Sequence, residues 1–175
     1  LPNMVVIAPG DSLEAERATM ALAQDKRPAY LRLAREATPI ISTEKTPFEI
    51  GKAYVYAKGD DITLISTGTM TYHALAAAEM LFKDGIDVEV VHCPTIKPLD
   101  AVTVLQSVKK TKKVITLEEG QINGGLGGAV CELLSEEFPV PVKRIGIRDR
   151  FGESGRPDEL MEHFGLTAKH IALAA

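Results

Sequence analysis

Short, unbroken apolar runs alternate with amphipathic stretches along most of this chain, and that alternation limits the folds open to it more than any other feature. Met4-Val5-Val6-Ile7-Ala8 and Ile62-Thr63-Leu64-Ile65 are strand-length and carry no charge. They are far too short to span a membrane, and they read as strands buried on both faces. Between such runs, residues 70–84 place Ala74, Leu75, Ala78, Leu81 and Phe82 on one helical stripe, and Gly85 follows as a C-terminal cap. Strands separated by helices call for a largely parallel sheet with helices on both faces, an α/β fold.

The first 40 residues form one such unit. The run 4–8 ends at Pro9-Gly10, and Asp11 is placed to cap a helix that reaches Gln24. Glu14, three residues on, completes the spacing of a capping box. Asp25-Lys26-Arg27-Pro28 stops the helix, and residues 29–33 read as a second strand. A βαβ unit of roughly 40 residues is too small to bury a core alone. The chain also opens Leu1-Pro2-Asn3, without Met, directly on a buried strand. Both features are expected of a piece of a longer protein.

Residues 37–47 hold Thr38, Pro39, Ser42, Thr43, Thr46 and Pro47 among charges, the composition of a linker. A fresh pattern starts at Gly51. It predicts an edge strand over 54–56, a turn at Gly59-Asp60-Asp61 and a core strand over 62–67. Next come the helix over 70–84, a strand over 86–91, a turn over 94–98 and a helix over 100–110. A strand over 113–117, a helix over 124–137 and a strand over 141–147 follow. A helix opened by Pro157 and capped by Gly165 and a short final helix close the chain. The division is therefore 1–40, the remnant of one domain; 41–50, a linker; and 51–175, a complete domain.

Composition narrows the function. Trp is absent and aromatics make up 5%, so the core rests on aliphatic side chains. Net charge is −4, and no basic stripe interleaved with aromatics offers itself to nucleic acid. Nothing reads as a signal peptide or a membrane span. Cys93 and Cys131 are isolated and lack metal-ligand spacing, as buried free thiols of a reducing cytosol would be, and a cytoplasmic location is expected.

Few residues are placed for chemistry. The stretch from Gly120 to Gly128 lies between a strand and a helix, where backbone amides can cradle phosphate. Its details do not fit: Val130 stands at the sixth place of a G-x-G-x-x-G, and Leu126 where a Walker loop needs Lys. A tight turn with close helix–sheet packing accounts for it better. The histidines His73, His92, His163 and His170 include no i, i+3 or i+4 pair, so no metal site is expected. His92 ends a strand at the carboxyl edge of the sheet, where ligands of such folds collect, but no catalytic role is assigned to it. Arg35 lies just past Leu33, at the carboxyl end of the second strand. A guanidinium there could grip a phosphate through paired, charge-assisted hydrogen bonds, although position alone favours a solvated linker arginine. Alternation turns Arg32 to the other face.

Met4-Val5-Val6-Ile7-Ala8-Pro9-Gly10-Asp11, followed by Arg27-Pro28-Ala29-Tyr30-Leu31-Arg32-Leu33-Ala34-Arg35, resembles the end of the pyrimidine-binding domain of transketolases. Thr95-Ile96-Lys97-Pro98-Leu99-Asp100, and Glu118-Glu119 with Gly124-Gly125-Leu126-Gly127, resemble the C-terminal domain of that superfamily. Phe151-Gly152-Glu153-Ser154-Gly155 resembles the transketolase branch in particular.

The resemblance implies a three-layer C-terminal domain around a mostly parallel five-stranded sheet with one antiparallel edge strand. It implies an enzyme that moves a two-carbon glycolaldehyde unit from a ketose phosphate to an aldose phosphate, as in the pentose phosphate pathway. The cofactor would be thiamine diphosphate with Mg²⁺ or Ca²⁺. It also implies a homodimer in which this chain works with an N-terminal portion or subunit of the same enzyme, the C-terminal domain serving mainly assembly. Leu33-Ala34-Arg35-Glu36 is similar to the family's Ser-Arg-Gln-like run, which makes Arg35 the sugar-phosphate ligand; Ala34 and Glu36 depart from that pattern.

The family's Gly-Asp-Gly and Asn pair, which hold diphosphate and metal, have no complete match. Gly59-Asp60-Asp61 has the wrong third residue, and Asn3 and Asn123 are the only asparagines. No cofactor, metal or catalytic residue is therefore expected on this chain, which would be inactive alone. The Thr-Ile-Lys-Pro-Leu-Asp-like turn and the Gly-rich stretch also occur in 2-oxoacid dehydrogenase β-subunits and deoxyxylulose-phosphate synthases, the nearest alternatives. A non-enzymatic α/β assembly or regulatory module is the alternative of another class, and it should begin near Gly51 without a βαβ unit in front.

Overall fold

The apolar runs do become strands, and they sort into two sheets. The computed structural model describes residues 1–175. The elements in chain order are β1 (Val5–Ile7), α1 (Ser12–Gln24), β2 (Ala29–Leu31), β3 (Tyr54–Ala57), β4 (Ile62–Ser66), α2 (Met70–Lys83) and β5 (Val88–His92). They continue with β6 (Thr95–Lys97), α3 (Ala101–Thr111), β7 (Val114–Gln121), α4 (Leu126–Glu137), β8 (Val142–Ile147), α5 (Pro157–His163) and α6 (Ala168–Ala174). No helix is long and apolar enough to cross a membrane.

The larger sheet has the order β3-β5-β4-β7-β8. All its pairings are parallel except β3 with β5 at the edge. Strand alternation divides its side chains between two cores. Ile62, Leu64, Val88, Val90, Ile115 and Leu117 pack with α2 and with Leu166 and Ile171 near the C-terminus. Ile65, Val91 and Val114 face the other way, against Val104 and Val108 of α3 and Leu126, Val130 and Leu134 of α4. The result is helices, sheet, helices, as expected of the α/β class.

Two local expectations need correction. On α2 the fully buried line is Met70, Ala74, Ala77 and Leu81, whereas Phe82 is 71% exposed. α2 lies between the sheet and α6, and the contact face is rotated away from Phe82. Residues 94–98, expected as a turn, include β6, which pairs antiparallel with β1. The smaller sheet is thus β2-β1-β6, with β2 parallel to β1. β1 is not left with a bare edge: the chain following the larger sheet's β5 returns to cover it. The Ala8 amide donates to the Pro94 carbonyl (2.8 Å) and the Gly68 amide to the Ala8 carbonyl (3.1 Å), so the end of β1 is tied to the chain just past two neighbouring strands of the larger sheet, β4 and β5. Val5 and Ile7 pack on Ala18 of α1, with Phe48 and Ile50 closing that small core.

Candidate functional site

The carboxyl ends of strands are where ligands of such sheets gather. At the end of β1, Asp11 caps α1 as the sequence implies, its Oδ1 accepting the Glu14 amide (2.8 Å). The same carboxylate takes the amides of Ile41 (2.8 Å) and Ser42 (2.6 Å) and the Ser42 hydroxyl (2.9 Å), bonds that join residues 30 and 31 positions apart. Burial opposes ionisation of Asp11, but these donors outweigh it and hold the carboxyl below its ordinary 3.8. Arg17 reinforces the latch, donating to the Ser42 hydroxyl and the Thr43 carbonyl (both 2.9 Å).

Glu14 does not close a capping box. Its Oε2 accepts the Gly10 amide (2.7 Å) and lies 2.7 Å from Nε2 of His92, at the end of β5. Nδ1 of His92 is 2.6 Å from the Thr71 hydroxyl, which is 3.0 Å from that of Ser66. Carboxylate, imidazole and hydroxyl stand in the order of a proton relay, yet Glu14 is 1% exposed and His92 and Thr71 are at 0%. A substrate cannot reach them, and the arrangement is a joint between the two sheets. Nothing in the sequence announces it: the partners are 78 positions apart and each has an ordinary local reading.

The Gly-rich stretch is occupied by the protein's own carboxylate. Glu118 accepts the amides of Leu126 and Gly127, both at 2.9 Å, at the N-terminus of α4. A phosphate would need those same donors. Burial raises the Glu118 carboxyl above its ordinary value despite the two amides. A Cβ on Gly127 would meet Thr116 Oγ1 at 2.8 Å and the Arg144 stem at 2.9 Å. Close helix–sheet packing is thus the role of Gly127, whereas a Cβ on Gly120, Gly124 or Gly128 would meet nothing within 4 Å.

Between the two sheets runs a cleft of about 910 Å³, with Val6, Tyr30, Arg32, Lys97, Glu119 and Asn123 among its walls. Arg32 reaches 3.6 Å from Glu119, whose other oxygen accepts the Thr69 hydroxyl at 2.8 Å. Arg35 is not brought into this cleft. β2 ends at Leu31, and the Arg35 side chain is 96% exposed, its nearest ionic neighbour being Glu36 at 3.9 Å.

No group of three or more His, Cys, Asp or Glu side chains is gathered to hold a metal ion. The residues do not fit thiamine diphosphate either. The Gly59-Asp60-Asp61 turn precedes β4 at the amino end of the sheet, opposite the ligand edge. Asp61 accepts the Asp87 amide (2.8 Å), Asp60 faces Lys110 (3.3 Å), and Gly59 sits against the Val88 backbone.

The fold and these local motifs define an α/β domain of the kind found at the C-terminal end of transketolases, and comparison with known proteins agrees. Residues 51–171 match the family model described as the transketolase C-terminal domain. The chain belongs to that family. It is 44% identical to the 6-deoxy-6-sulfo-D-fructose transketolase subunit of Clostridium sp. (strain MSTE9), over all of this chain and 54% of that protein. It is 43% identical to a Methanocaldococcus jannaschii protein described as a transketolase C-terminal section, over 98% of this chain and 54% of that one. A 1-deoxy-D-xylulose-5-phosphate synthase of Trichormus variabilis is 39% identical over 98% of this chain but 28% of its own length. Among solved structures, a split-gene transketolase described as an inactive β4 tetramer superposes with a TM-score of 0.96 at 41% identity, over 99% of this chain and 57% of that one. The chain therefore spans about half the length of the first curated relatives it matches.

Proposed function

We propose that this chain is the C-terminal part of a transketolase and that it contributes Arg35 to the grip on the anionic end of a sugar substrate. The observation that carries this reading is the 44% identity, along the whole chain, to a subunit of an enzyme that acts on a sulfonated ketose. In the complete enzyme a two-carbon glycolaldehyde unit passes from ketose to aldose. Thiamine diphosphate with Mg²⁺ or Ca²⁺ supplies the carbanion chemistry when bound, on residues outside this chain. What this chain does is bind, orient and assemble: residues 1–40 complete a pyrimidine-binding domain, 41–50 link, and 51–175 form the assembly domain. Its partners are an N-terminal portion or subunit of the same enzyme and a second copy of itself, in the cytoplasm.

An exposed guanidinium on a loop at the carboxyl end of β2 suits phosphate and sulfonate alike, because each offers oxygens to its paired donors. The experiment compares Arg35→Ala with wild type in the complete enzyme, on a 6-phosphorylated ketose, its 6-sulfonate counterpart and the sugar bearing neither. The charged substrates should lose about 1.5–3 kcal/mol in kcat/KM and the uncharged one much less. Equal losses on all three would end the role of Arg35 as an anion ligand.

The matches to 1-deoxy-D-xylulose-5-phosphate synthases support a second reading, in which the two-carbon donor is a 2-oxoacid. Assaying pyruvate as donor separates the two.

A further inference from the structure

We infer that His92 and Glu14 are positioning residues for the Arg35 loop, holding it through the turn Pro9-Gly10-Asp11; the inference rests on the reading of Arg35 as an anion ligand. The loop from Leu33 to Ile40 has no regular structure. It is fastened at both ends. On one side the Arg32 amide donates to the Ile7 carbonyl of β1 at 2.8 Å. On the other, Asp11 at the head of α1 accepts the amides of Ile41 and Ser42, and Arg17 of the same helix donates to the Thr43 carbonyl. The loop can therefore be no better ordered than the β1–α1 turn that holds it.

That turn is in turn braced by His92. Gly10 is wedged between Ile41 and the imidazole: a Cβ there would meet Ile41 Cδ1 at 2.9 Å and His92 Cε1 and Nε2 at 3.3 Å. Loop end, turn and imidazole are thus packed in series. The Gly10 amide and His92 share one oxygen of Glu14, so the carboxylate fixes the turn's backbone to the end of β5. Burying this carboxylate is costly without partners, and an α1 already capped by Asp11 has no need of it for capping. The imidazole itself is fixed from behind by Thr71 and Ser66. A side chain of the larger sheet therefore governs a loop at the edge of the smaller one.

The test uses the complete enzyme with three variants. His92→Leu leaves the Glu14 carboxylate buried beside an apolar group. Glu14→Leu with His92→Leu removes carboxylate and imidazole together and leaves the Gly10 amide without its acceptor, a milder change than stranding a buried carboxylate. His92→Gln restores a donor to Glu14. Hydrogen exchange is followed in peptides covering residues 9–12 and 38–43, with residues 62–66 of β4 as the internal control. In the double variant, exchange should quicken on the order of tenfold in both peptides, with β4 unchanged. The preference for the phosphorylated over the unphosphorylated ketose should fall by about tenfold, through KM rather than kcat. His92→Gln should recover most of both. Unchanged exchange in the double variant, or a Gln variant no better than Leu, overturns the inference. If exchange quickens while Arg35→Ala shows no selective loss, the brace stands and the reading of Arg35 falls.

Discussion

Glu118 and Gly125 occupy one another's space: a Cβ on Gly125 would lie 1.8 Å from Glu118 Oε2 and 3.0 Å from the Gln121 carbonyl. The missing side chain at 125 lets a buried carboxylate enter the N-terminus of α4 and satisfy two of its free amides. Charge at that end of a helix is favoured by the helix dipole, which offsets part of the cost of burying it.

Gly125→Ala should therefore cost about 2–3 kcal/mol, since it forces Glu118 off its amides as well as overpacking the site. Gly128, inside α4 with open space around its Cα, gives the contrast: Gly128→Ala should stabilise by roughly 0.5–1 kcal/mol. Urea unfolding of both variants measures the pair, and similar midpoints would refute this account of the Gly-rich stretch.

The Asp11 latch predicts a pH dependence. Its carboxyl sits below 3.8 in the folded chain, so the latch contributes fully above that value and is lost as pH falls through the depressed one. Asp11→Ala should cost about 2–4 kcal/mol at neutral pH, the sum of a lost cap and unpaired buried amides. The gap between wild type and variant should narrow as pH falls below the ordinary 3.8 and through the depressed value. A gap that stays constant as pH falls would show that ionised Asp11 is not what holds Ile41 and Ser42.

The two thiols should differ sharply in reactivity. Cys93 is fully buried, and burial, with the Asp100 charge adding to it, pushes its thiol up to about 12. Cys131 is only half-buried on α4. Mass spectrometry after alkylation of the native protein should find Cys131 modified and Cys93 untouched until denaturant is added. Equal labelling in the native state would contradict the packing around β5.

Removal of residues 1–47 tests the assembly role. The deletion takes β1, β2 and α1 and bares the β6 edge, but it leaves both cores of the larger sheet complete. If residues 51–175 carry the interface between copies, full chain and truncated chain should associate alike in light scattering over a dilution series. Association lost with the deletion would move the interface to the N-terminal unit, whose β2 edge is open to pairing.

The sequence alone determined the fold class and every element but β6. Apolar runs with no polar face had to be covered on both sides, which dictates strands between helix layers, and Gly85 and Gly165 marked helix ends where positive φ is observed. The family motifs pointed to the right family for the same reason, being local turns and caps written in neighbouring residues. What only the tertiary structure decided are relationships between distant segments. That Thr95–Lys97 is a strand depended on β1 arriving to pair with it, because three residues have no periodicity of their own. That Glu14 abandons its capping box for His92 depended on β5 ending beside the β1–α1 turn, and no spacing rule reaches across 78 positions. Local patterns record the preferences of a backbone for its own neighbours; burial and pairing of a polar side chain are settled by whatever the fold brings against it.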